Sequence, residues 1–217
     1  MTDRARGGAM KRGVWSLVHA ERAALIEDLA ALDPQQWERA SLCEGWTVHD
    51  VVAHLVDTYR TTRIGFFTRM AKARFDFDRQ TASGAAKEKG GTPLETLHRL
   101  RRAAPLTATP PGPLGTRLVE EVVHGEDIRR PLGIARDYPQ ETVVGALRTH
   151  TGLSASMGGA KELVAPIRLR AVDADVAIGE GPEARGTALA LLLAVNGRRA
   201  SFDELDGPGA AVLAGRA

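Results

Sequence analysis

The chain has a single cysteine, Cys43, among its 217 residues. An internal disulfide and a cysteine-based zinc knuckle are therefore excluded. The phosphate-binding patterns GxGxxG and GxxxxGKS/T are absent from its glycine-rich segments, which argues against nucleotide binding. No apolar run approaches the length of a membrane span, and no apolar segment follows the basic N-terminus as it does in a secretory signal. We therefore expect a cytoplasmic location.

Excess charge of one sign is also lacking. The 29 Lys and Arg residues and 27 Asp and Glu residues give a formal net charge of +2, and the two signs are interspersed. This argues against nucleic acid or a membrane surface as a partner. Hydrophobic residues make up 43% of the chain, which is typical of a soluble globular protein with one domain or two small ones. The preference for Arg over Lys suggests a GC-rich bacterial genome.

The first two thirds of the chain has the hydrophobic spacing of helices. Thr47 followed by Asp50 predicts a capping box, and Thr92-Pro93 predicts an N-cap with proline in the first turn. Residues 76–91 are polar and Gly-rich, which predicts a mobile loop. We predict helices at residues 14–32, at 47–70, from 92 onward, at 116–130 and at 140–157.

The pattern changes near residue 158. Residues 167–172 alternate like a strand, and residues 174–178 are a plausible partner strand. Residues 186–195 have the composition of a short apolar helix. We therefore predict two domains, with a helical domain at 1–160 and a small α/β domain at 161–217.

Two histidines and a glutamate suggest a metal site. His54 lies in the second predicted helix, and Glu120 and His124 lie in the third long one. Since Glu120 and His124 are four residues apart, they share a helix face. Two imidazoles and one carboxylate suit a divalent metal with an open coordination position, as in catalytic zinc sites. An exposed pair of His54 with Asp50, and an exposed pair of Glu120 with His124, are the alternative interpretations.

Neighbouring residues compete for these roles or assist in them. Glu121, three residues before His124, is an alternative ligand. Asp127 could orient a ligand imidazole, or it could pair with Arg130. Cys43 has no histidine partner at an interpretable spacing, so we predict no catalytic role for its thiol.

Two motifs identify a similar family. The segment CEGWTVHDVVAHL at residues 43–55 and the segment RLVEEVVHGEDIRRPLG at 117–133 resemble the mycothiol-dependent maleylpyruvate isomerase family of actinobacteria. The N-terminal part resembles the broader DinB-like superfamily of metal-binding four-helix bundles. Residues 181–198, GPEARGTALALLLAVNGR, resemble the small C-terminal domain of the same isomerase family. The resemblance implies a mainly α fold, with a DinB-like four-helix bundle followed by a small α/β C-terminal domain.

The resemblance also implies a site and a chemistry. It implies that His54, Glu120 and His124 bind a divalent metal, with zinc expected, and that Arg198, adjacent to Arg199, holds a substrate carboxylate. Mycothiol would be the thiol cofactor and a small electrophilic molecule the substrate. The metal would lower the pKa of the thiol, and the resulting thiolate would add to the substrate. The outcome would be cis–trans isomerisation or S-transfer.

Two other functions stay open from the residues alone. A metal at this site could activate water instead of a thiol, which would make the protein a hydrolase. Alternatively, the protein could be a non-catalytic carrier of a small ligand. Nitrogen and oxygen ligands accept several divalent metals, and the sequence determines neither the metal nor the oligomeric state.

Overall fold

The structure, a computed structural model, describes residues 3–216, with side chains described from residue 13 onward. The chain forms two compact units, each made of two segments. The first unit contains the residues up to 114 and residues 124–136. The second unit contains residues 115–123 and the residues from 137 onward. The helices are α1 (Asp3–Ala30), α2 (Pro34–Trp37), α3 (Val48–Arg60), α4 (Arg63–Lys72), α5 (Phe77–Glu88), α6 (Pro93–Ala103), α7 (Thr116–Leu132), α8 (Gln140–Gly152), α9 (Lys161–Val164), α10 (Ala188–Val195) and α11 (Pro208–Ala214). The strands are β1 (Arg168–Ala171), β2 (Ala177–Ile178) and β3 (Glu183–Gly186).

The core of the first unit is built from one face of each of four helices. These faces belong to α1, α3, α6 and α7, and α3 contributes the largest share of the buried side chains. In α3 the apolar residues recur at helical spacing, so this helix buries one continuous stripe. The mainly α fold with a four-helix bundle, which the resemblance implies, is confirmed. The buried side chains include Leu25 and Leu29 of α1, Val52 and Leu55 of α3, Leu97 and Leu100 of α6, and Ile128 of α7.

The N-terminus of α3 has the predicted capping box. The Thr47 hydroxyl accepts from the backbone N–H of Asp50 at 3.2 Å, and the Asp50 carboxylate accepts from the backbone N–H of Thr47 at 3.0 Å. Thr92 caps α6 in the predicted way, with Pro93 in the first turn. These caps fix where both helices begin, because they satisfy backbone donors that a helix leaves unpaired.

The single helix predicted at 47–70 is wrong, since two threonines divide it. Helix α3 ends at Arg60, and the Thr61 hydroxyl donates to the backbone carbonyl of Asp57 at 2.7 Å. Thr62 then caps α4 by accepting from the backbone N–H of Gly65 at 3.1 Å. Side-chain bonds of this kind compete with the helix for its backbone groups, so two consecutive threonines end one helix and begin another.

The loop predicted at 76–91 is also wrong, because most of it forms α5. The Asp76 carboxylate caps this helix by accepting from the backbone N–H of Arg79 at 2.9 Å. A Cβ added at Gly84 would overlap the carboxylate of Asp57 on α3. The small residues that suggested a loop are therefore what allows α5 to pack closely on α3.

The second unit contains a three-stranded sheet with strand order β2-β1-β3. β1 pairs with β2 antiparallel, with Leu169 opposite Ile178, as predicted. β3 pairs parallel with β1 on its other side, with Leu169 opposite Ala184, and the sequence did not predict this strand. The residues of β3, EARG, have low strand propensity, so its pairing depends on tertiary contacts.

Residues 137–160, which include α8, belong to the second compact unit. The domain boundary at 160 assigns them to the first domain. Packing does not test where an evolutionary domain begins, so that boundary stays a prediction. Among residues 3–216, no helix combines the length and the apolar character needed to cross a membrane.

Candidate metal centre

Helices α3 and α7 carry the three predicted ligands. Glu120 and His124 lie one turn apart on the uninterrupted helix α7, so helix geometry sets their relative position. One potential ligand atom from each of His54, Glu120 and His124 lies within 4.8 Å of the other two. All three side chains are half-buried. Metal binding by this group is untested and stays a prediction.

The His54 ring contacts two other aromatic rings. Its ring meets the ring of His124 edge-on, with the centroids 4.9 Å apart. On another side the ring of Trp46 contacts it at 5.5 Å, also edge-on. The Thr58 hydroxyl lies 3.5 Å from Nε2 of His54. Trp46 is a site residue that the sequence reasoning missed, and its only signal is its position immediately before the N-cap of α3.

Asp127 forms a hydrogen bond with the His124 ring at Nδ1. Its carboxylate is fully buried and accepts from Nδ1 of His124 at 2.8 Å. This bond places the proton on Nδ1 and leaves the Nε2 lone pair available to a metal, the arrangement usual for metal-binding histidines. Nε of Arg130, which was the alternative partner of Asp127, donates to Glu126 at 2.9 Å.

Cys43 lies in the same cluster, although no partner for it was identifiable from spacing. Its thiol donates to Asp127 at 3.0 Å, and Sγ lies 3.9 Å from Nδ1 of His124. The backbone N–H of Leu42 donates to the carbonyl of Asp127 at 3.1 Å, which attaches this segment to α7. Cys43, His124 and Asp127 form a second group of potential ligands. The spacing argument fails here because more than 80 residues separate Cys43 from these partners.

The structure also places the residues of two alternative interpretations, the pair of His54 with Asp50 and Glu121 as a ligand. The Asp50 carboxylate is bound by the Thr47 hydroxyl at 2.6 Å and by Nζ of Lys89 at 2.8 Å, rather than by His54. Glu121 joins neither group of potential metal ligands found among the described residues. The geometry therefore favours Glu120 over Glu121, as the resemblance does.

Arg198 lies in the second unit, after α10. It is half-buried, and its guanidinium donates to the backbone carbonyl of Asn196 at 2.7 Å. Burial lowers the pKa of His150, and the positive charge of Arg198 lowers it further. Arg199, the adjacent candidate, is exposed. A role for Arg198 in substrate binding is untested and stays a prediction.

Comparison with known proteins identifies a family domain and two similar structures. Residues 18–110 match the family model of the mycothiol maleylpyruvate isomerase N-terminal domain. A crystal structure of a histidine-to-alanine mutant of the mycothiol-dependent maleylpyruvate isomerase aligns with a TM-score of 0.61 and 16% identity. A second crystal structure of the mycothiol-dependent maleylpyruvate isomerase aligns with a TM-score of 0.58 and 18% identity. Both alignments cover 92% of this chain and 93% of the other, and at such identities the likeness concerns the fold. A search of curated proteins gave no significant match.

Proposed function

We propose that this chain is a mycothiol-dependent metalloenzyme, because residues 18–110 match the family model of the mycothiol maleylpyruvate isomerase N-terminal domain. It acts on a small electrophilic molecule by cis–trans isomerisation or S-transfer. The observation that carries the proposal is the group of His54, Glu120 and His124, with ligand atoms within 4.8 Å of one another. The fold shared with the isomerase structures supports it.

The residues of this group fit a divalent metal. Ligand atoms about 2.1 Å from a tetrahedral zinc ion lie about 3.4 Å apart, which the observed separations allow with small side-chain adjustments. Two histidines and one carboxylate leave a coordination position open, and the half-buried side chains leave it accessible. A metal bound there would lower the pKa of a thiol that binds at the open position.

The chain's own residues would prepare this site in three ways. His54, Glu120 and His124 hold the metal from two helices. Asp127 keeps the Nδ1 proton on His124, so that the imidazole presents Nε2. Trp46 packs edge-on against one side of the His54 ring. We further propose that Arg198 binds a carboxylate of the substrate, because a guanidinium recognises that group with two hydrogen bonds.

The test is metal content together with thiol-dependent turnover, measured on the wild type and on His124→Ala. We expect about one zinc per chain in the wild type by elemental mass spectrometry, and at least a tenfold lower content in His124→Ala. We also expect isomerisation of maleylpyruvate, or consumption of another electrophile, only when mycothiol is present. Both activities should be lost in His124→Ala.

His98→Ala is the matched control, because His98 is exposed on α6 and outside both groups of potential ligands. It should retain metal and turnover. Absence of metal from the wild type would overturn the proposal. Bound metal with thiol-independent hydrolysis would replace the proposal with a hydrolase, and bound metal without any turnover would favour a ligand-binding protein.

A further inference from the structure

A cavity lies in the groove between α4 and α5, within the first unit. Its volume is about 230 Å³, below the usual range for drug-sized ligands, so it suits a compact molecule. None of its lining residues belongs to either group of potential metal ligands. The side chains that matter for its chemistry are Arg69, Lys72, Arg79, Gln80, Ser83 and Lys87.

The lining of this groove is strongly basic. Four cationic side chains line it, and no acidic side chain does. Lys72, Arg79 and Lys87 make no side-chain hydrogen bond or ion pair with any residue that the structure describes. Bringing like charges together around a concave surface costs energy and creates a positive potential that attracts anions. These three exposed side chains are therefore available to an anionic ligand.

Arg69 is held in a defined position at the base of this groove. Its guanidinium donates to the buried carboxylate of Asp57 and to the hydroxyl of Thr61. Asp57 thus neutralises Arg69 and leaves a net charge of about +3 from the other three cations. Because Asp57 is almost completely buried, it does not present its negative charge to a ligand in the groove.

Neutral donors complete the lining. Gln80 is only 8% exposed, lines the groove and has no hydrogen bond from its side-chain amide within the described part of the chain. This amide is therefore available to donate to an oxygen of a ligand in the groove. Ser83, one turn after Gln80 on α5, adds a hydroxyl that can donate.

We propose that this groove binds a small polyanion, a molecule that carries two or more phosphate or carboxylate groups. Lys72, Arg79 and Lys87 would neutralise its charges, and Gln80 and Ser83 would donate to its oxygens. The volume favours a compact ligand over a polymer. Because the groove is separate from the metal-ligand group, this binding does not depend on the proposed enzymatic function.

The test is isothermal titration of the full chain with pyrophosphate and, separately, with citrate, at low ionic strength. We expect one binding site per chain, and weaker binding as salt increases, because exposed charges are screened. The double variant Arg79→Gln/Lys87→Gln should bind the preferred anion at least tenfold more weakly. A preference for pyrophosphate identifies a phosphate-bearing ligand, and a preference for citrate identifies a carboxylate-bearing one.

Two further variants make the result specific. Arg101→Gln/Arg102→Gln removes the same charge from exposed residues of α6 and should leave the affinity unchanged. Pyrophosphate and citrate can also bind a metal ion held at the proposed metal site. We therefore titrate His124→Ala as well, and we expect it to bind the anion as the wild type does. Three results would overturn the proposal. One is no binding by the wild type up to about 10 millimolar anion, roughly the weakest useful affinity. The others are an equal loss of affinity in both double variants and a loss of binding in His124→Ala.

Discussion

Asp127 is the residue that connects the proposed ligand His124 to the rest of the protein. It is fully buried, and its carboxylate accepts from both the His124 imidazole and the Cys43 thiol. The spacing of Asp127 and His124 on one helix made this contact predictable from the sequence. The contact with Cys43 was not, because it requires a loop before α3 to lie against α7.

We expect Asp127→Asn to weaken zinc binding by about 10- to 100-fold, the usual effect of removing a carboxylate that orients a metal-binding histidine. The substitution preserves shape, so the protein should still fold. Competition with a chromophoric chelator measures the affinity, and thermal unfolding checks the fold. Asp175→Asn, at an exposed position of the second unit, should bind zinc as the wild type does. Equal affinities for all three proteins would contradict the orienting role of Asp127.

Helix α5 shows at the scale of an element why the sequence reasoning failed. Its glycine and small polar residues suggested a loop, yet Gly84 and Ala85 are buried against the rest of the first unit. The contact between Gly84 and Asp57 joins residues of different helices, and no local propensity reports it. Helices with a clear apolar stripe, such as α3, were predicted correctly, apart from the threonines that end it.

We expect Gly84→Ala to destabilise the protein by about 1–3 kcal/mol, because the added methyl group must displace Asp57 or separate α5 from α3. The measurement is the free energy of unfolding in urea. Gly13→Ala is the matched control, since Gly13 is exposed within α1 and nothing lies within 4 Å of an added Cβ. That change should stabilise the protein by about 0.5–1 kcal/mol. If Gly84→Ala left the free energy of unfolding unchanged or increased it, the proposed close packing at Gly84 would be wrong.

At the scale of the whole molecule, buried histidines link stability to pH. His49 lies in the first unit, where it bonds the Thr96 hydroxyl at 2.7 Å, and His150 lies in the second. Burial lowers the pKa of both imidazoles, and nearby cations lower them further, Lys89 for His49 and Arg198 for His150. The folded state therefore resists protonation that the unfolded state accepts near its ordinary pKa of about 6.5.

We expect the free energy of unfolding of the metal-free protein to fall as pH decreases from about 6.5, because the unfolded state binds more protons in that range. The decrease should end once the pH is below the lowered folded-state pKa values. Urea unfolding at a series of pH values measures it. His49→Gln should reduce this dependence, whereas His98→Gln, at an exposed position, should not. A wild-type stability independent of pH in this range would contradict the prediction.

The sequence by itself determined the helical class, the caps of α3 and α6, the strand pair β1–β2 and the match of residues 18–110 to a family model. All of these follow from local spacing, cap residues or contiguous motifs. It also predicted His54, Glu120 and His124 as metal ligands, and metal binding by these residues stays a prediction. Only the tertiary structure decided that α5 is a helix, that β3 joins the sheet and that Cys43 and Trp46 lie beside the histidines. The physical reason is that each of these features depends on contacts between residues far apart in the chain.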